Sequence, residues 1–186
     1  MRGYNGPSFF VRRVIMRYTL NDIQYLASVC NADSITCHWS AGRYDQSFYD
    51  YHLNILGDGS IVSNHDNFDV KLNHTWRRNT GNIGIALACC LDAGVTNTGE
   101  VNWGTYPPTD AQIETMAQVV AAICKGKGWA PTYDRVKTHA EWAAIDGYSI
   151  YDDDPDMRWD LIKVPQEDGE GGDVIRGKAA FYMEKI

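Results

Sequence analysis

Residues 82–90 read Asn-Ile-Gly-Ile-Ala-Leu-Ala-Cys-Cys, a nearly continuous apolar run of strand length. A strand with one wet face alternates polar and apolar residues. A run that is apolar at almost every step belongs in the middle of a sheet with helices packed over it. The chain supplies such helices. Thr19 with Asp22 three residues on marks a helix start, and Leu20, Ile23, Leu26 and Ala27 share one face of a helix expected to end near Asn31. Thr109 with Gln112 repeats the signal, ahead of Ile113, Met116, Ala117, Val120, Ala121 and Cys124 on one side, with a stop at Gly126 or Gly128. The reading is an α/β fold, a central mixed β-sheet flanked by helices. At 186 residues the chain suits a single domain, with its core at about 20–165 and a packed tail at 166–186.

The remaining strands bring polar residues to the sheet ends. Ile35-Thr36-Cys37 reads as the end of a buried strand, with His38 where it emerges and small residues at Ser40, Ala41 and Gly42. Residues 51–56 form a second strand that turns at Asp58-Gly59 into Ser60-Ile61-Val62, a strong hairpin signal. On that strand His52 points away from Tyr51, and His65 sits in a polar loop. Neither is given a role. Residues 91–108 are loop-like. Residues 136–141 read as a short strand ending in a second histidine, His139. Asp146-Gly147-Tyr148 then turns the chain into an acidic segment, and the tail passes a glycine-rich turn to an apolar segment at 179–182.

Composition removes several classes of function. At 44% hydrophobic and 22% charged the chain is ordinary globular material. A formal net charge of −7 argues against a nucleic-acid partner and against adhesion to an anionic membrane. No apolar stretch approaches the roughly 20 residues that span a bilayer, so no membrane insertion is expected. The first residues do not read as a signal peptide, so synthesis in the cytoplasm is expected, and action on a cell wall would need another exit route. The 5 cysteines show no CxxC spacing and lie mostly in apolar runs, which argues against a zinc-thiolate site or a disulfide scaffold.

Two histidines at strand ends, with carboxylates shortly after the second, make a candidate metal centre. Two neutral imidazoles and one carboxylate give a catalytic zinc three protein ligands and leave a fourth position open. Such a site acidifies water and polarises a carbonyl, which is what amide hydrolysis needs.

The chain resembles the zinc-dependent N-acetylmuramoyl-L-alanine amidases, the group that includes phage lysozyme-type amidases and peptidoglycan recognition proteins. Five fragments in order carry the resemblance: Ile35-Thr-Cys-His38-Trp-Ser-Ala-Gly42, Tyr51-His52-Leu53, His74-Thr75 through Asn79 to Asn82-Ile-Gly-Ile85, Thr138-His139-Ala-Glu141, and Asp154-Pro155 through Trp159-Asp160. Together they cover roughly residues 20–165. The resemblance implies a Zn2+ cofactor, bacterial peptidoglycan as partner, and cleavage of the amide between N-acetylmuramic acid and L-alanine. His38 and His139 match the two histidine ligands. Tyr51 matches the tyrosine that phage-type members place beside the zinc, implying a catalytic hydroxyl that orients water or stabilises the oxyanion. His74 matches a histidine lining the same cleft, with the implied catalytic role of hydrogen-bonding substrate or the tetrahedral intermediate. Register with the Asp-Pro motif picks Asp154 as third ligand, with Asp160 as the alternative. Many members carry a lysine two residues before that ligand; Asp152 stands there for Asp154, whereas Arg158 stands there for Asp160 and could stabilise developing negative charge. Trp39 and Trp76 offer flat faces to sugar rings, and Asn79 joins them as a substrate-binding candidate.

Two rivals remain in view. A noncatalytic peptidoglycan-binding module would share the fold and lack a complete ligand set, whereas here every position is fillable. A cysteine-dependent amidase using Cys37 beside His38 is disfavoured, because neighbours on a strand face opposite ways. The expected setting is a monomeric phage or prophage endolysin, with a recycling amidase or antibacterial effector as alternatives. Recycling enzymes typically carry Glu in the strand after Ile-Gly-Ile, where this chain has Ala86.

Overall fold

The computed structural model describes residues 15–96, 98–147 and 159–185. In chain order its elements are β1 (Met16–Arg17), α1 (Leu20–Val29), β2 (Ser34–Trp39), β3 (Leu53–Ile55), β4 (Ile61–Ser63), β5 (Asn82–Leu87), β6 (Gly94–Val95), β7 (Val101–Asn102), α2 (Asp110–Lys127), β8 (Val136–Thr138), α3 (His139–Asp146) and α4 (Gly171–Met183). Six strands form one mixed sheet in the order β1-β4-β3-β5-β2-β8. The pairs β3–β5, β5–β2 and β2–β8 are parallel, while β3–β4 and β4–β1 are antiparallel. The fold is thus the expected mixed sheet flanked by helices. Among the described residues no helix is long and apolar enough to cross a membrane.

The apolar run at 82–90 is central, and every residue of β5 is buried. Its two faces differ, however. In register with β2, Ile83, Ile85 and Leu87 pair with Ile35, Cys37 and Trp39, while Gly84 and Ala86 pair with Thr36 and His38. Paired residues of adjacent strands share a face, so apolar side chains line one side and small or polar ones the other. Helix α2 packs on β5 and β3 and lies between α1 and α4. Its Gln112 donates from Nε2 to the carbonyls of Ile55 (2.9 Å) and Ala88 (3.0 Å), fastening the helix to the ends of β3 and β5. The second face carries the loop of His74 and, from α3, Trp142, which donates to Thr36 Oγ1 at 2.9 Å. Composition alone does not separate the two faces, because glycine and alanine count as apolar on both.

Both expected capping boxes form, at Thr19/Asp22 and Thr109/Gln112, and α2 ends at Gly128 with φ +67°. A third box corrects the reading of 136–141 as one strand. Thr138 accepts from the Glu141 N–H, and the Glu141 carboxylate takes the Thr138 N–H at 2.8 Å. The strand therefore stops at Thr138, and His139 opens a helix. Val136 and Thr138 are β-branched and favour a strand locally, whereas Thr-x-x-Glu satisfies the orphan donors of a helix start. The segment 91–108 holds the short hairpin β6–β7. In the tail the expected glycine-rich turn is the start of helix α4, whose Ala179 is buried and whose Tyr182 packs on the core as expected. The acidic segment 152–156 lies outside the described residues.

Helix α4 also holds α3 in place. The Arg176 guanidinium, 9% exposed, donates to both carboxylate oxygens of Glu141 (2.7 and 3.0 Å), to Asp173 and to the Val136 carbonyl. Glu141 is the capping-box carboxylate, so the ion pair fixes the turn that delivers His139. Replacing Arg176 with Met leaves Glu141 without its cation, which should destabilise the fold by about 3 kcal/mol in urea denaturation. A change within 0.5 kcal/mol would show that α3 is held by other contacts.

Candidate metal centre

His38 ends its strand run on the face with Thr36, and Ala86 opposite leaves space beside it. His139 stands at the first position of α3. Asp160 is brought to both by its main chain, whose carbonyl accepts from the Ala140 N–H at 3.3 Å. Leu161, fully buried with φ +62°, anchors the following turn. The Asp160 carboxylate then bridges the histidines, with Oδ2 2.7 Å from His38 Nδ1 and Oδ1 3.1 Å from His139 Nδ1. One donor atom from each of the three lies within 4.8 Å of the others. Burial alone would raise the Asp160 carboxyl, but the charge and hydrogen bonds of His139 and His38 outweigh it and hold the group well below the usual carboxylate range.

The donor set suits a zinc ion, two imidazoles and a carboxylate being a common catalytic trio. His139 Nε2 is buried and has no hydrogen-bond partner among the described residues, so this ring has a nitrogen not committed to the protein. The thiols do not compete. All 5 cysteines are free and buried, and burial pushes the Cys37 thiol up while its strand position puts it opposite His38.

His139 and Asp160 lie on the wall of a cavity of about 590 Å3, with the fully buried His38 behind them, and the cavity is lined also by Trp39, Tyr51, His74, Trp76, Asn79 and Trp159. Tyr51 precedes β3 instead of lying on it, and its ring centroid is 5.0 Å from that of His38. The loop leading to it is held by buried Asn54, which accepts from the Phe48 N–H (3.0 Å) and donates to the Phe48 carbonyl (3.1 Å). Trp39 is 4% exposed and meets Trp103 and Trp159 edge-on, with centroids 5.0 and 5.2 Å away. Trp76 is 52% exposed, with the Arg77 guanidinium 3.9 Å from its ring centre. Asn79 Oδ1 accepts from the N–H groups of His74 (3.1 Å) and Thr75 (2.8 Å), so it shapes the turn that carries His74. Asp154 and Arg158 lie outside the described residues.

His74 is 6% exposed, and both its nitrogens are engaged. Nδ1 is 3.1 Å from His38 Nε2 and 2.9 Å from Thr75 Oγ1, and Nε2 is 3.2 Å from the Asn82 carbonyl. Burial and the neighbouring His38 and His52 push the ring down to about 2. Gly84 makes room for it: a Cβ there would stand 2.7 Å from the His74 ring. A glycine inside a strand signals such close approach, and this is the clue that would have located the pocket from sequence. His52 is fully buried beneath, accepting from the Gly84 N–H at 3.0 Å and donating to the Val70 carbonyl at 2.8 Å. Burial pushes it down to about 4.

A family model described as N-acetylmuramoyl-L-alanine amidase matches residues 8–156, most of the chain and ending short of Asp160. Among solved structures, the chain is similar to the endolysin N-acetylmuramoyl-L-alanine amidase LysCS from Clostridium intestinale URNW. That match has 16% identity and a TM-score of 0.43, covering 61% of this chain and 72% of the other. No curated protein matches the sequence.

Two outcomes are expected. Gly84→Ala should destabilise by about 1–3 kcal/mol, the usual range for an overpacked core, because a rigid ring blocks the added methyl. Equal stability in urea would mean that His74 moves freely. His52 titrates near 6.5 when unfolded and about 4 when folded. Its neutral-state stabilisation is therefore present above pH 6.5 and is lost as pH falls through 4. Between pH 7 and 4.5 the wild type should lose about 2–3 kcal/mol more than His52→Gln. Parallel pH profiles of the two would contradict this.

Proposed function

This chain belongs to the N-acetylmuramoyl-L-alanine amidase family, and from that premise we propose that His38, His139 and Asp160 hold a catalytic zinc ion. The enzyme is a peptidoglycan amidase, cleaving the bond between N-acetylmuramic acid and L-alanine. The observation that carries the metal reading is the convergence of three buried or nearly buried donors within 4.8 Å, two of which, His139 and Asp160, line the cavity. Zinc bound there supplies a Lewis acid that polarises the scissile carbonyl and acidifies water.

The chain's own residues then do the rest. The Asp160 carboxylate, held ionised between two imidazoles, offsets cationic charge at the centre and fixes both rings. Tyr51, on the cavity wall beside His38, offers a hydroxyl to the oxygen that gains charge as water adds to the carbonyl. Arg158 stands two residues before Asp160, where many relatives carry lysine, and is assigned a share of the same charge. The exposed Trp76 takes a sugar face, and Trp39 and Trp159 line the same cavity. Water's hydroxyl ends on the lactyl carbonyl carbon, the C–N bond breaks, and the stem peptide leaves with a free amine.

The biological reading is a monomeric phage-type lytic enzyme. Tyr51 lines the site, and Ala86, where recycling amidases typically carry Glu, stands opposite His38 in the sheet register.

Purified peptidoglycan digested with zinc, and with chelator, should separate the possibilities by mass spectrometry. Stem peptides with a free L-alanine amine and peptide-free glycan strands are expected, and chelator should abolish them. Asp160→Ala should reduce activity to background, Asp154→Ala should leave it near wild type, and Tyr51→Phe should lower kcat about 100-fold, the scale of one lost oxyanion donor. Inactivation by Asp154→Ala with Asp160→Ala active would reverse the ligand assignment. New reducing ends would mean a glycosidase.

A further inference from the structure

A main-chain carbonyl accepts hydrogen bonds and never donates them. The Asn82 carbonyl lies 3.2 Å from His74 Nε2, so that nitrogen carries the proton. In the neutral ring Nδ1 is then a bare acceptor. It faces His38 Nε2 at 3.1 Å in a buried space. With a bare nitrogen on one side, the proton between the two rings sits on His38 Nε2. The opposite arrangement would set two lone pairs against each other at this distance, without water to screen them. Thr75 Oγ1, 3.4 Å from the same His38 nitrogen, is placed as a second acceptor for that proton.

We propose that His74 is a positioning residue that acts through His38 and does not touch substrate. It passes the polarity of the Asn82 carbonyl on to His38, so that the Nε2 proton stays in place and the Nδ1 proton, donated to the Asp160 carboxylate 2.7 Å away, is the one a cation displaces. The proposal rests on the zinc reading above. Metal-bound histidines generally donate their second N–H to an oxygen acceptor, which fixes tautomer and ring orientation. Here the acceptor is another imidazole whose own polarity is set by the backbone.

The surroundings are built for this ring. Gly84 clears its volume, and Asn79 ties its turn by two N–H groups. The Asn82 side chain is tied in turn, donating to Thr36 Oγ1 (2.8 Å) and to the Arg78 carbonyl (2.8 Å), which holds the start of β5 and the terminal carbonyl of the relay.

Long-range 15N–1H spectra of histidine-labelled protein test the relay directly. His74 should be the Nε2–H tautomer with and without zinc, and His38 should carry its proton on Nε2 when zinc is bound. In chelator competition, His74→Phe should bind zinc about 10–100-fold more weakly, the usual effect of losing such a partner. His74→Gln, whose carboxamide keeps an acceptor for His38 and a donor for Asn82, should recover most of that loss. A His74 Nδ1–H tautomer would overturn the proposal, as would a folded His74→Phe chain that binds zinc like the wild type. The tautomer measurement needs no variant, so it decides even if His74→Phe fails to fold. A wild-type protein that binds no zinc would instead remove the metal reading and the relay with it.

Discussion

The carboxylate of Asp160 is the interaction on which the site depends. It joins the end of β2 to the start of α3, one oxygen to each imidazole, in a place where His38 is fully buried and His139 nearly so. Buried imidazole nitrogens need partners, and in a low-dielectric setting an unpaired one is unfavourable by several kcal/mol. A single ionised group meets that need for two rings. It also leaves three donors converging, which is the arrangement a divalent cation requires.

The groups that hold this geometry come from distant parts of the chain. Arg176 on α4 grips Glu141, which caps α3 and so sets His139. Gln112 on α2 binds the ends of β3 and β5, and Asn54 at the sheet's second face fixes the loop that carries Tyr51. Tyr51, His74 and Asp160 thus sit on turns and loops, while His38 and His139 stand on the strand and the helix between which those turns are held.

Small residues set the depth of the site. Gly84 in the central strand forgoes the packing of a side chain, a loss of about 0.5–1 kcal/mol for glycine in a strand interior. The ring of His74 fills the volume instead, and His52 bonds the same glycine's N–H from below. The helix-covered face, by contrast, pairs large aliphatic residues across β2 and β5. One sheet therefore has a hydrophobic face that stabilises it and a polar face that carries chemistry.

Much of this was readable from residues near one another. The boxes at Thr19/Asp22 and Thr109/Gln112, the hairpin at Asp58-Gly59 and the central placement of β5 all follow from patterns a few residues long. Thr138/Glu141 was equally local, but the β-branched residues before it masked the signal. His38 and His139 were found as residues of the right type at strand ends and through the family motifs. The sequence by itself could not tell that the Asp160 carboxylate bridges His38 and His139, nor that His74 turns both nitrogens inward. Those facts depend on contacts across 122 and 36 positions of chain, where no periodicity or turn chemistry reaches. Local hydrogen bonding determined the elements; only their packing decided which side chains share a buried space, and therefore which must satisfy one another.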